Sequence, residues 1–245
     1  PDVILCSYAP ELADEIQTKT GIPVVSVALG TLFGEDYEQA LRILADVCGV
    51  PEKAEEVIAF INDCLQDLQS RTADVPDEDK PTVLGAAATF KGAHGIEGVY
   101  ANYKLLEILN ANDVTRGSSD LVGGVVVDKE QIISWNPEYI FFDFTGLNLV
   151  KEDLKKNPGF YAQLTAFQNG KLYQYPNSTS YYSNVEIPIV NSYYIGSIIF
   201  PEQFKDIVFK DKANEIFKFF LGCDDYLSEL EAFGASYSAV NFGDN

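Results

Sequence analysis

PDVILCSYAPELADEIQTKTGIPVVSVAL, residues 1–29, decides the fold. Residues 3–6 (VILC) and 24–29 (VVSVAL) are short β-rich runs. Between them a helical stretch runs from Pro10 and ends at Gly21. Strand, helix and strand at this tight spacing make a βαβ unit, so the two strands are parallel and a helix covers them. Such a sheet holds more than two strands, and the chain opens at the first of these. The first lobe is therefore expected to be incomplete here.

Outward from that unit, residues 36–48 read as a helix closed by Gly49, and Pro51 opens a longer one reaching about Ala73. In it Ala54, Val57, Ile58, Ile61, Leu65 and Leu68 recur at spacings of three and four, giving one apolar stripe. A helix of ~23 residues reaches ~35 Å, enough to join two lobes as a strut. The loop VPDEDKP, residues 75–81, is acidic and flanked by prolines, a good boundary. The α/β rhythm then resumes. Strands are expected at 82–88, 125–127, 139–144 and 171–175, and helices at 100–110, 128–137, 150–156, 187–200, 210–221 and 224–233. The expected class is α/β, two Rossmann-like lobes with parallel sheets joined by one long helix. The divisions are a partial N-terminal lobe (1–50), a linking helix (51–75), a C-terminal lobe (76–205), and C-terminal helices returning toward the first lobe (206–245).

The formal charge is −20, from 37 acids against 17 bases. That field repels phosphate backbones, so no nucleic-acid partner is expected. The longest apolar runs are far too short to span a bilayer, and no signal-peptide pattern opens the chain. Met is absent and residue 1 is proline, so a processed or trimmed piece is expected. Cys6, Cys48, Cys64 and Cys223 show no zinc-ligand spacing. Cys6 reads as a small core residue, and Cys48 and Cys64 either pair or stay as buried thiols.

In open parallel α/β sheets, ligands sit beyond the carboxyl ends of the strands. The loops at those ends supply Tyr8, Phe33, Phe90, Lys91, His94, Thr145, Tyr181 and Tyr182 as candidate ligand-binding residues. An aromatic, weakly polar cleft suits a large flat ligand or a chelated metal complex. Taken singly, each such tyrosine is more often ordinary surface packing than a ligand contact, and the argument lies in their convergence. His94 is the single histidine, in the setting KGAHGIEG. It either contacts the ligand or makes a loop-stabilising hydrogen bond. One histidine cannot make a metal site, so Glu97 or a tyrosinate would have to help. No resident metal or cofactor is expected. Among catalytic motifs, GxSxG, HExxH and the Walker loop are all missing from the sequence.

Taken in order, PDVILCSYAPELADEIQTKTGIPVVSV (1–27), KPTVLGAAATFKGAHGIEG (80–98), VDKEQIISWNPEYIFFD (127–143) and NGKLYQYP (169–176) resemble the substrate-binding proteins of ABC transporters for iron complexes, haem and cobalamin. The resemblance spans essentially the whole chain. It implies two lobes joined by one long helix, ligand held in the cleft between them, and no enzymatic activity. It also implies that a glutamate on each lobe docks on arginines of the permease. Glu11 and Glu186 hold those positions here, and each would also favour the dipole of the helix it opens. The location implied is extracytoplasmic, in the periplasm or on the outer membrane face, with membrane contact through the permease or a lost lipid anchor. No arginine sits in the candidate loops, Arg116 being nearest, which weighs against a siderophore carboxylate. The HGIEG turn is similar to a branch linked to iron or to oxyanions such as molybdate and tungstate.

The leading expectation is thus a solute-binding protein that delivers a metal-containing solute to an ABC permease. An enzyme on the same architecture, such as a metal chelatase using His94 and Glu97, is the first alternative. A surface adhesion module without a small ligand is the second.

Overall fold

Val, Ile and Leu at residues 3–5 favour an extended backbone, and β1 (Ile4–Cys6) pairs in parallel with β2 (Val24–Ser26) in the register Ile4 to Val24. The helix between them is α1 (Pro10–Thr20), its first turn carrying Glu11. Next come α2 (Glu35–Cys48) and the long α3 (Pro51–Thr72). In the computed structural model, which describes residues 1–30, 32–117, 123–177 and 184–243, these elements belong to one unit, Pro1–Gln66, and the rest to a second, Asp67–Asn245. The cut falls inside α3.

Of the stripe expected along α3, Ala54, Ile58, Ile61 and Leu68 are buried and Val57 and Leu65 half-buried, with Cys64 buried beside them. Its early turns are tied to α2 by Arg42 Nε to Glu55 at 2.7 Å and by Asn62 Nδ2 to Glu38 at 2.9 Å. Its last turn is fixed within the second unit. Arg71 donates to both oxygens of Asp206 at 2.6 and 3.0 Å, to Asp67 at 2.9 Å and to the Gln203 carbonyl at 2.9 Å. Tyr193 closes the group by donating to Asp67 at 2.8 Å.

The second unit contains β3 (Thr82–Ala86), β4 (Gly98–Ala101), α4 (Lys104–Ile108), β5 (Asn112–Asp113), β6 (Gly123–Val126), α5 (Lys129–Trp135) and β7 (Tyr139–Asp143). It continues with α6 (Leu147–Lys156), α7 (Pro158–Tyr161), α8 (Thr165–Gln168), β8 (Leu172–Tyr175), α9 (Glu186–Ile199), α10 (Phe209–Leu221), α11 (Tyr226–Ala232) and β9 (Ser238–Ala239). The described strands lie in the order β6-β4-β3-β7-β8-β9, with β5 against β3. The α/β class is as expected, and β3, β5, β7 and β8 run parallel.

Two details differ from expectation. The sheet has antiparallel margins, since β4, β6 and β9 run against their neighbours. Residues 98–101 form a strand, where a helix was expected to start at Tyr100. The sequence KLLEILN has a helical period, but Val99 and Tyr100 before it pair with Ala86 and Gly124, and tertiary pairing overrides local propensity. None of the four cysteines is in a disulfide; Cys64 is buried as expected, but Cys48, the last residue of α2, is exposed, and Cys6 is only half-buried because β1 has β2 as its single described strand neighbour.

The central strands are buried on both faces, as their unbroken apolar runs require. On one face Ile140 and Phe142 of β7 join Leu84, Ile132, Val150 and Leu164. On the other, Phe141 stacks on Tyr173 and meets the edge of Tyr194 from α9. Helix α9 is apolar nearly all round and buried over most of its length, as such a helix must be. No described helix is long and apolar enough to cross a membrane.

Arg71→Ala removes charge-assisted hydrogen bonds from a mostly buried guanidinium and is expected to cost about 2 kcal/mol. For a chain of this size that lowers Tm by roughly 4–8 °C. Arg71→Lys should recover only part of the loss, because an ammonium cannot span the fork. Thermal melts of the two variants check this.

Candidate functional site

Because the central sheet is sealed above and below, its polar side chains collect at the carboxyl ends of β3, β7 and β8. Beyond β3 the chain turns at Ala87, whose φ of +56° is rare for a residue with a side chain. It then folds back on itself. Thr89 bridges Ala93, Phe90 N donates to the Gly92 carbonyl at 3.0 Å, and Lys91 stands exposed at the tip. This brings the Phe90 and His94 rings face to face, with centroids 4.0 Å apart and planes at 6°. The pair is seated on β6, where a Cβ on Gly124 would lie 2.1 Å from the Phe90 ring.

His94 Nδ1 lies 3.2 Å from the Ala88 carbonyl. A carbonyl only accepts, so Nδ1 carries the proton, and in the neutral ring Nε2 keeps its lone pair. The loop-stabilising hydrogen bond is therefore present, and it orients the free nitrogen as second-shell carbonyls orient metal-binding histidines.

Beyond β7, the fully buried Asp143 accepts from Thr145 N at 2.8 Å and from the Tyr100 hydroxyl at 2.9 Å. Tyr100 in turn accepts from Thr89 N at 3.4 Å. The Thr145 loop and the His94 loop touch, for a Cβ on Gly146 would sit 2.3 Å from the His94 carbonyl and 2.4 Å from that of Ala87. Burial pushes the Asp143 carboxyl above the ordinary range, with Thr145, Tyr100 and Thr89 pulling it back. Burial likewise raises Tyr100, Tyr103 and Tyr175, so their hydroxyls are neutral donors.

Beyond β8, Asn177 has both amide atoms buried without a partner among the described residues. Thr89 Oγ1 and the Tyr175 hydroxyl, also buried, approach Asp143 and Tyr103 without reaching hydrogen-bonding geometry. The end of β8 is braced from behind. Asn191 donates to the Pro176 carbonyl at 3.1 Å and accepts from Tyr237 at 2.8 Å, while Gln174 reaches Ser236 at 2.6 Å.

Of the residues expected from sequence, Phe90, Lys91, His94 and Thr145 meet at this rim. Tyr8, 53% exposed beyond β1, and Phe33, half-buried with φ +69°, belong to the first unit. Tyr181 and Tyr182 lie outside the described residues. Glu11 is exposed on α1. Glu186 is 5% exposed and accepts from Asn184 at 3.0 Å, so a surface position for this acid is not what the fold provides. Asp143, Tyr100 and Tyr175 are absent from the sequence reading, and Asn177 enters it only as the first residue of a candidate loop. The signal for Asp143 was available, an acid ending the apolar run YIFFD.

Gly146→Ala forces a methyl against two backbone carbonyls and is expected to cost about 1–3 kcal/mol, read as a lower Tm. Asp143 gives a pH dependence of definite sign. Its folded pKa is raised, so its contribution to stability is full below the ordinary carboxylate range and is lost as pH rises toward the folded value. The stability of Asp143→Asn relative to wild type should therefore improve between pH 3.5 and pH 7, as paired melts at the two pH values would record.

Comparison with known proteins gives a consistent picture. The periplasmic binding protein family model matches residues 1–179. None of the curated proteins matches the chain. Solved structures do. A periplasmic solute-binding protein from Veillonella parvula DSM 2008 superposes with a TM-score of 0.72 at 24% identity, over 91% of this chain and 67% of that one. An ABC transporter solute-binding protein from Sulfurospirillum deleyianum DSM 6946 gives 0.70 at 21% identity, over 95% and 72%. The molybdate periplasmic binding protein MolA of Haemophilus influenzae, bound to molybdate, gives 0.68 at 20% identity, over 91% and 73%. At these identities the structures establish a shared fold, and the family model covers well over half the sequence. The chain belongs to the periplasmic binding protein family.

Proposed function

We propose that this protein binds a metal-containing solute outside the cytoplasm and delivers it to an ABC permease, with iron complexes, haem and cobalamin as the first class to consider. The observation that carries the reading is the buried amide of Asn177, unpartnered at both atoms among the described residues, at the sheet end where Phe90 and His94 stack. Buried polar groups are rarely left unpaired. A solute that supplies a donor and an acceptor would satisfy this one, and the aromatic pair offers a flat apolar wall. His94 Nε2 could take an open coordination position on a metal whose other ligands the solute brings.

A second reading, an oxyanion such as molybdate or tungstate, is favoured by the neutral donors Asn177 Nδ2, Thr89 Oγ1 and Tyr175 Oη, with Lys91 at the loop tip. Tyr8, Phe33, Thr145, Tyr181 and Tyr182 remain in the proposed ligand set. The enzymatic alternative, a chelatase, does not stand, because the family is one of binding proteins.

For docking, Glu11 is the better placed of the two glutamates, because it is exposed. Glu186 would have to leave Asn184 and become accessible to reach a permease arginine. Attachment to the membrane through the permease or a lipid belongs to the same proposal.

Absorbance and calorimetric titrations with haemin, cyanocobalamin, a ferric tris-catecholate and molybdate decide between the two solute classes. Asn177→Ala should weaken the bound probe at least ~10-fold, the loss of one buried hydrogen bond of about 1.4 kcal/mol. No binding to any of the four would sink the proposal. Glu11→Ala should reduce transporter-dependent uptake while leaving solute affinity unchanged; a loss of affinity would remove its docking role.

A further inference from the structure

Asp143 is a fully buried carboxylate, and the groups that act on its charge (Thr145, Tyr100 and Thr89) are all neutral. An acid held this way works against stability unless its hydrogen bonds do something a neutral side chain could not. Its two oxygens serve different loops. Oδ1 takes the Thr145 amide at 2.8 Å, and Oδ2 takes the Tyr100 hydroxyl at 2.9 Å, whose oxygen receives the Thr89 amide at 3.4 Å.

Thr89 is the root of a loop closed on itself by the Thr89–Ala93 bridge and the Phe90–Gly92 hydrogen bond. Whatever holds Thr89 therefore also sets where Phe90 and His94 stand. We propose that Asp143 is a positioning residue, which through the Tyr100 hydroxyl locks the loop after β3 into register with the loop after β7. The chain of donors runs one way: Thr89 amide to Tyr100 oxygen, Tyr100 proton to Asp143. A carboxylate suits its end because it only accepts. An amide in its place would present a donor to one of the two loops and break the sequence. That these loops hold solute rests on the function proposed above; the coupling between them does not.

The chain has one histidine, so its imidazole proton signals in an NMR spectrum need no assignment. Stacked on Phe90, the His94 Hε1 proton lies over a ring face and resonates upfield of an exposed histidine. Tyr100→Phe removes the relay hydroxyl and little else. It is expected to move His94 Hε1 downfield and to speed exchange of the Thr89 amide. Asp143→Asn should shift the same signals in the same direction. Tyr103→Phe is the control, because Tyr103 stacks on Tyr100 at 4.6 Å but has no hydrogen bond to Asp143, and it should leave His94 in place. A His94 signal unmoved by Tyr100→Phe, or moved equally by Tyr103→Phe, would overturn the proposal. A moved His94 signal with haemin and molybdate affinities unchanged would overturn the solute-site reading and leave the coupling standing.

Discussion

A parallel sheet covered on both faces has only one place for polar side chains to gather, the rim where its strands end. In the second unit β3, β7 and β8 are buried above and below, with Ile140 and Phe142 facing one layer of helices and Phe141 facing α9. Everything chemically distinctive in that unit follows from the seal. Asp143 and Tyr175 are the last residues of β7 and β8, and Thr89 and Asn177 follow β3 and β8 by three and two residues, all at the same end of the sheet. The rim is then shaped by two backbones brought into close contact at Gly146, and by an aromatic pair seated on the glycine of a neighbouring strand.

Most side chains at that rim are hydroxyls, amides and aromatics, with Lys91 at the loop tip and the buried Asp143 as its charged members, even though the protein as a whole is strongly acidic. Hydroxyls, an amide and one imidazole face the site, while the formal charge of −20 is spread over the surface. At physiological ionic strength the screening length is about 8 Å, so distant surface acids weigh little against a hydrogen bond made inside the rim. At the proposed solute site, selection is therefore a matter of local donors, acceptors and shape. The surface charge acts on encounter and docking instead.

Much of this was legible before the fold was in view. The apolar stripe from Ala54 to Leu68 marked α3, the βαβ spacing of residues 3–29 marked a parallel pair, and the motif ending in YIFFD marked β7. The expected Phe90, Lys91, His94 and Thr145 do meet. What was not legible depends on long-range pairing. Val99 and Tyr100 sit before a strongly helical KLLEIL and become strand only because β3 and β6 lie on either side. Asn177 is an ordinary loop residue until the loss of water around it makes its amide costly. Glu186 looks like any helix-opening acid, and its burial comes from what packs around α9, which no local pattern records.

The brace behind β8 has a consequence for how the protein comes to exist. Asn191, Tyr237 and Ser236 fix Pro176 and Gln174, and Gln174 lies about 60 residues before its partners Gly234 and Ser236. During synthesis the rim can reach its final form only after that last segment has emerged and laid β9 along β8. A nascent chain stopped short of it would have the aromatic pair and the histidine in hand, but one wall of the site without its backing. On the proposed reading of the rim, competence to bind is thus among the last properties the growing polypeptide acquires. A chain crossing a membrane unfolded would meet its solute only on the far side.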